Sequence, residues 1–171
     1  MAGFTDLDWT RFDVCAIVAH RGLVVVEPER TADAAAWLAQ SGYSVVVWDC
    51  GQGVRAAVTQ LSDLLHWPAQ FGYSLDAEIR GLDAIRDGFQ SDEWPSGAVA
   101  FEVLSPEVVW QEDSRWLLGI LSIASEQSLQ WLALGRRFLT MIVTHKRSPV
   151  VGQLVDSIVV PAAYVDRFSS R

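Results

Sequence analysis

Cysteine and histidine are scarce in this 171-residue chain, with two of the first and three of the second. Cys15 and Cys50 lie far apart in sequence and are too few for the disulfide framework of a small secreted domain. They are expected to be two buried thiols in a reducing compartment. His20, His66 and His145 are scattered, and none has an acid or nucleophile at a recognisable spacing. There is no G-x-S-x-G elbow, no phosphate-binding glycine loop and no zinc spacing. The chain is therefore not expected to be an enzyme, and neither a cofactor nor a metal is implied. No apolar run approaches the ~20 residues needed to cross a bilayer. The opening "MAGFTDLDWTRFD" lacks a basic start followed by an apolar stretch, so no secretory signal is expected and the cytoplasm is the expected location. Repeats, low-complexity tracts and linkers are also missing. One domain, residues 1–171, is expected.

Bases are missing from one long window. Residues 74–113 hold ten acids (Asp76, Glu78, Asp83, Asp87, Asp92, Glu93, Glu102, Glu107, Glu112 and Asp113) against two bases, Arg80 and Arg86. The window therefore carries the whole formal charge of -8, and the remaining acids and bases balance. Non-specific nucleic-acid binding needs the opposite sign. A concentrated negative field suits a basic protein partner, or else a solvated face that keeps the chain soluble.

Half of the residues are hydrophobic, enough for a substantial core. "GLVVVEPE" (22–29) and "YSVVVWDC" (43–50) are valine-rich and predict strands. Between them "TADAAAWLAQSG" (31–42) runs from a hydroxyl cap to a glycine and predicts a helix. Strand–helix–strand is the unit of a parallel sheet. In "VRAAVTQLSDLLHW", Val54, Ala57, Val58, Leu61, Leu64 and Leu65 share one helical face, and Pro68 is expected to close that helix. "AVAFEVL" (98–104) predicts a strand, 113–135 a long helix bent at Gly119, "FLTMIVT" (138–144) a central strand and "SIVVPA" (157–162) an edge strand. The class is α/β, with a small, mostly parallel sheet packed by helices. "DCGQG" after the second strand is expected to be a structural turn, since it lacks the G-x-G-x-x-G spacing of a dinucleotide site.

The stretch "HWPAQFGYSLDAEIRGLDAIRDGF" (66–89) carries the candidate site. It predicts a loop of Gln70, Phe71, Gly72, Tyr73 and Ser74, then a helix from about Leu75 with Ser74 as N-cap. On that helix Leu75, Ile79 and Leu82 would form an apolar stripe, while Asp76, Arg80, Asp83 and Asp87 would form a charged one. Asp76 and Arg80 would pair at i,i+4, and Asp76 would lie in the first turn, where the helix dipole favours an anion. Glu78 would fall on the apolar side. Phe71 is expected to tuck into the core, and Tyr73 either to do the same or to serve as a contact aromatic.

At these residues the sequence resembles the barstar family of ribonuclease inhibitors. The pattern is an aromatic–Pro, a short loop with aromatic–Gly, and "LDA" opening the next helix: here "HWPAQFGYSLDA". The resemblance is strongest over 43–145. Longer, actinobacterial-type members are similar further out, with a "DWTRFD"-like start, an N-terminal strand–helix extension and a C-terminal tail. The resemblance implies one-to-one binding of a small basic ribonuclease or toxin. The loop and the following helix would plug its active site, and an aspartate matching Asp76 would take the place of a substrate phosphate. One position departs. The family's second acid lies one helical turn later, and the matching residue here is Arg80, which a basic phosphate site would repel. Either Asp83 and Asp87 take over that role, or the partner is a different basic protein.

Overall fold

The structure, a computed structural model, describes residues 11–76, 78, 80–90, 94–95, 97–153 and 158–159. Five strands form one sheet: β1 (Leu23–Val26), β2 (Tyr43–Asp49), β3 (Ala98–Leu104), β4 (Arg137–Val143) and the two-residue β5 (Ile158–Val159). Their order across the sheet is β2-β3-β4-β1-β5, and every pair is parallel. Among the described residues six α-helices accompany them: α1 (Phe12–His20), α2 (Thr31–Gln40), α3 (Val54–Leu64), α4 (Trp67–Phe71), α5 (Leu82–Phe89) and α6 (Pro106–Ala133). The expected α/β class with a parallel sheet is what forms. Among the described residues no helix is long and apolar enough to cross a membrane.

Helices cover both faces at the centre of the sheet, so consecutive residues of β1 and β3 are buried instead of alternating, whereas the edge strand β2 leaves Val45 and Val47 exposed. All four residues of β1 and six of the seven in β3 are buried. The period of two survives as a division between two cores. Val99, Phe101 and Val103 join Trp48, Phe138 and Ile142 beneath α3, α5 and α6. Ala98 and Ala100 join Val24, Val26, Tyr43, Leu139 and Met141 beneath α1 and α2. The first core is dense in aromatic contacts, such as Trp48 stacked on Phe101 at 5.8 Å.

Several boundaries differ from those expected. α3 ends at Leu64, and the turn is made by His66 in a left-handed conformation (φ 49°), so Pro68 opens α4 instead of closing α3. A proline in the first turn removes a donor that has no helical acceptor. Thr31 lies inside α2 without capping it, and its hydroxyl donates to Pro28 O at 2.9 Å. The long helix begins at Pro106, and its irregular residue is Asp113 (φ -153°, ψ 80°). Gly119 instead admits α5: a Cβ there would lie 2.4 Å from Leu82 Cδ1. Cys15 is exposed rather than buried, Cys50 is buried, and no disulfide joins them. Burial, with the charges of Asp49 and Glu107, pushes the Cys50 thiol up and keeps it unreactive. The "DWTRFD" start lies partly, and the C-terminal tail from 160 wholly, outside the described residues.

One buried ionic cluster fastens the amino ends of the strands. Asp13, fully buried, accepts from Arg11 (2.9 Å), the Tyr43 hydroxyl (2.7 Å) and Arg137 (2.7 Å). Arg137 also lies 4.9 Å over the Tyr43 ring. Burial alone would raise the Asp13 pKa. The hydrogen bonds from Arg11, Tyr43 and Arg137 outweigh it and hold the carboxyl below its ordinary value.

Candidate functional site

The aromatic end of the site is built on Trp67. Its ring is buried at the start of α4, and Gly88 of α5 leaves it room: a Cβ on Gly88 would meet Trp67 Cζ3 at 2.7 Å. Phe71 lies against Trp67 at 4.3 Å between centroids, and Tyr73 meets the same ring edge-on at 6.0 Å. Each keeps its other side in solvent: Phe71 is 39% exposed and Tyr73 44%. Phe71 thus does not tuck into the core as expected. Gly72, between them, ends α4 in the left-handed region (φ 78°) that a side chain resists. Gln70 and Phe71 belong to α4 rather than to an open loop. The Gln70 side-chain amide donates to Leu65 O at the end of α3, so Gln70 holds the turn together.

The acidic end does not form the expected helix. Residues 74–76, 78, 80 and 81 are non-helical, and α5 starts only at Leu82 with Gly81 extended before it (φ -61°, ψ 132°). Ser74 is exposed, and the next helix among the described residues, α5, has Gly81 rather than Ser74 at its N-cap. Leu75 is buried, and its N–H donates to Ser62 Oγ at 3.1 Å, which anchors the segment to α3. The expected stripe through Ile79 lies outside the described residues.

Asp76 is therefore not in a first helical turn. Its Oδ1 accepts the N–H of Glu78 at 2.8 Å, a local side-chain turn that competes with helix. Glu78 is exposed, not on an apolar face. The expected Asp76–Arg80 pair is replaced by Arg80–Asp113 at 2.9 Å. The Arg80 guanidinium also sits 5.4 Å over Trp116, whose indole N–H donates to Arg80 O at 3.2 Å. Arg80 thus faces α6 and has its charge balanced there. The first-turn anion of α5 is Asp83, wholly exposed. Arg86 reaches Asp83 at 3.4 Å and Glu126 at 3.1 Å. Both bases of the stretch are thereby committed, while Asp76, Glu78, Asp83 and Asp87 are all exposed. The result is an aromatic pair followed along the chain by exposed carboxylates, on a non-helical segment and a short helix rather than on one helical face.

The "DCGQG" turn carries its own anion. The Glu112 carboxylate accepts the Val54 N–H at 2.9 Å at the start of α3, and Asp49 accepts the Gly51 N–H at 2.8 Å. The protein's own carboxylate therefore takes the place where a phosphate would bind. Sequence reasoning missed a second group. Glu27, Glu29 and His145 converge with their ligand atoms all within 4.8 Å of one another. The available signal was that Glu27 and His145 each follow a strand, because neighbouring parallel strands end on the same edge. No protein-family model, curated protein or solved structure matches this chain.

Proposed function

We propose that this chain is a barstar-like protein-binding inhibitor that uses residues 70–87 to grip a basic protein one to one, a ribonuclease or ribonuclease toxin of the kind a cytoplasmic immunity protein neutralises. The observation that carries the reading is the pairing of half-exposed Phe71 and Tyr73 with the exposed carboxylates of Asp76, Glu78, Asp83 and Asp87, while Arg80 is turned away onto Asp113 and Trp116. Rigid aromatics with few rotatable bonds supply contact area, and the net negative charge of the 74–113 window steers a basic partner. The order β2, α3, the 65–81 connection, α5, β3, α6, β4 also supports a barstar-like reading. Within it Asp76 is the central anion, Tyr73 the principal aromatic contact, and Asp83 and Asp87 add charge complementarity. Binding, not catalysis, is the activity read here, with no cofactor, nucleic acid or membrane as partner.

A second reading, a basic partner that is not a nuclease, is favoured by Arg80. At the position where the resembled family carries its second acid, this chain places an arginine bound to its own α6. Capture from lysate and culture medium at low salt, with wild type and Asp76→Lys as baits and RNA cleavage as the assay, separates the two. A basic ribonuclease held by wild type and weakened more than about thirtyfold by Asp76→Lys is the expected result. A non-nuclease held by wild type and weakened by the same substitution selects the second reading. Capture indifferent to Asp76→Lys overturns both.

A further inference from the structure

The carboxyl edge of the sheet holds a second chemical group, remote in sequence from the acidic window. β1 and β4 are adjacent and parallel, with Val26 opposite Val143, so Glu27 and His145 emerge side by side. The chain then leaves in opposite directions. After β1 it passes to α2, whose Leu38 packs on one face of the sheet, and after β4 to Val150, which packs on the other. Divergence of this kind marks the strand ends at which open α/β sheets take ligands.

We propose that Glu27, Glu29 and His145 bind one divalent cation of the zinc type. Two carboxylates and a neutral imidazole carry the charge that such an ion balances, and imidazole selects zinc-like metals over magnesium or calcium. The ligand atoms lie within 4.8 Å of one another. His145 Nδ1 and Glu27 Oε2 are 3.3 Å apart. That is long for a charge-assisted hydrogen bond, which closes to about 2.8 Å. It matches the ~3.4 Å between two atoms each ~2.1 Å from one tetrahedral ion.

Hydrogen bonds tie the frame together without an ion. Pro28 and Glu29 form a 3-10 turn in which Arg30 N–H donates to Glu27 O at 2.8 Å and the Thr31 hydroxyl to Pro28 O at 2.9 Å. The Lys146 N–H donates to the other Glu27 oxygen, Oε1, at 3.1 Å, an outer-shell contact that orients a ligating carboxylate. Arg30, the base next to Glu29, reaches Asp33 at 3.4 Å. Three protein ligands leave a fourth position for water.

The test titrates the metal-stripped full chain with zinc chloride alone by calorimetry, and reads the thermal midpoint with and without zinc. Wild type is expected to take one zinc per chain and to gain thermal stability by mass action. His145→Ala and Glu29→Gln, at exposed positions, are expected to keep the metal-free urea midpoint and to bind zinc at least about tenfold more weakly, without the thermal gain. Equal zinc affinity in wild type and both variants overturns the site, as does absence of both heat and thermal shift in wild type. A magnesium titration as tight as the zinc one overturns the zinc-type assignment.

Discussion

Asp13 and Asp83 are the same residue type in opposite circumstances. Asp13 is buried at the amino edge of the sheet, with three donors aimed at it from Arg11, Tyr43 and Arg137. Asp83 is wholly exposed at the start of α5, with Arg86 no nearer than 3.4 Å. Withdrawn from water, the first has meaning only as part of the fold. The second contributes little to stability, and its charge stays available to whatever approaches. Burial and the number of fixed donors, rather than the carboxylate itself, divide structural from binding acids in this protein.

The comparison breaks most visibly at Asp13. Asp13→Ala leaves the buried Tyr43 hydroxyl and the part-buried Arg137 guanidinium without their carboxylate, and is expected to destabilise by about 3 kcal/mol in urea unfolding. Asp83→Asn should leave the urea midpoint where it is. Acid sharpens the contrast. Because the folded pKa of Asp13 is depressed, its contribution is fully present above the unfolded value near ~3.9 and is lost as pH falls through the folded pKa. Stability should therefore decline below about pH 4, and this component should vanish in Asp13→Asn.

Glu102 is a third case, a carboxylate at a mostly buried position of β3. It is 9% exposed, faces the second core between Val47 and Met141, and burial alone raises its pKa. The sign is opposite to that of Asp13. Ionised Glu102 destabilises the fold above its raised pKa, and the penalty fades as pH falls toward the unfolded value near ~4.3. Glu102→Gln is expected to stabilise by about 1 kcal/mol at pH 7 and by progressively less toward pH 4, measured by urea unfolding at both. The smallest effect belongs to the half-exposed pair. A double-mutant cycle on Arg80→Ala and Asp113→Ala should give a coupling of about 0.5–1 kcal/mol, whereas a cycle on Asp76 and Arg80 should give none.

The elements that could be read from the chain were those with unambiguous composition. The valine runs of β1 and β2, the 3.6-residue face of α3 and the apolar run of β4 each have one low-energy arrangement once a core exists. The 75–81 segment misled because its leucine spacing suits a helix, while Gly81 and the short-range bond from Asp76 to the Glu78 amide favour a turn. Arg80 reads as part of a ladder only while Asp113, thirty-three residues on, is ignored.

Amino-acid order by itself determined the α/β class, the parallel strands and the acidic window, because these depend on local propensity, burial periodicity and net charge. Only the tertiary structure decided which charges are neutralised. The contacts of Asp113 and Trp116 on α6 with Arg80 took that base out of play, and the adjacency of β1 and β4 set His145 beside Glu27. Ionic contacts form between side chains that folding brings within a few ångströms, and sequence spacing does not encode that distance once the residues lie on different elements.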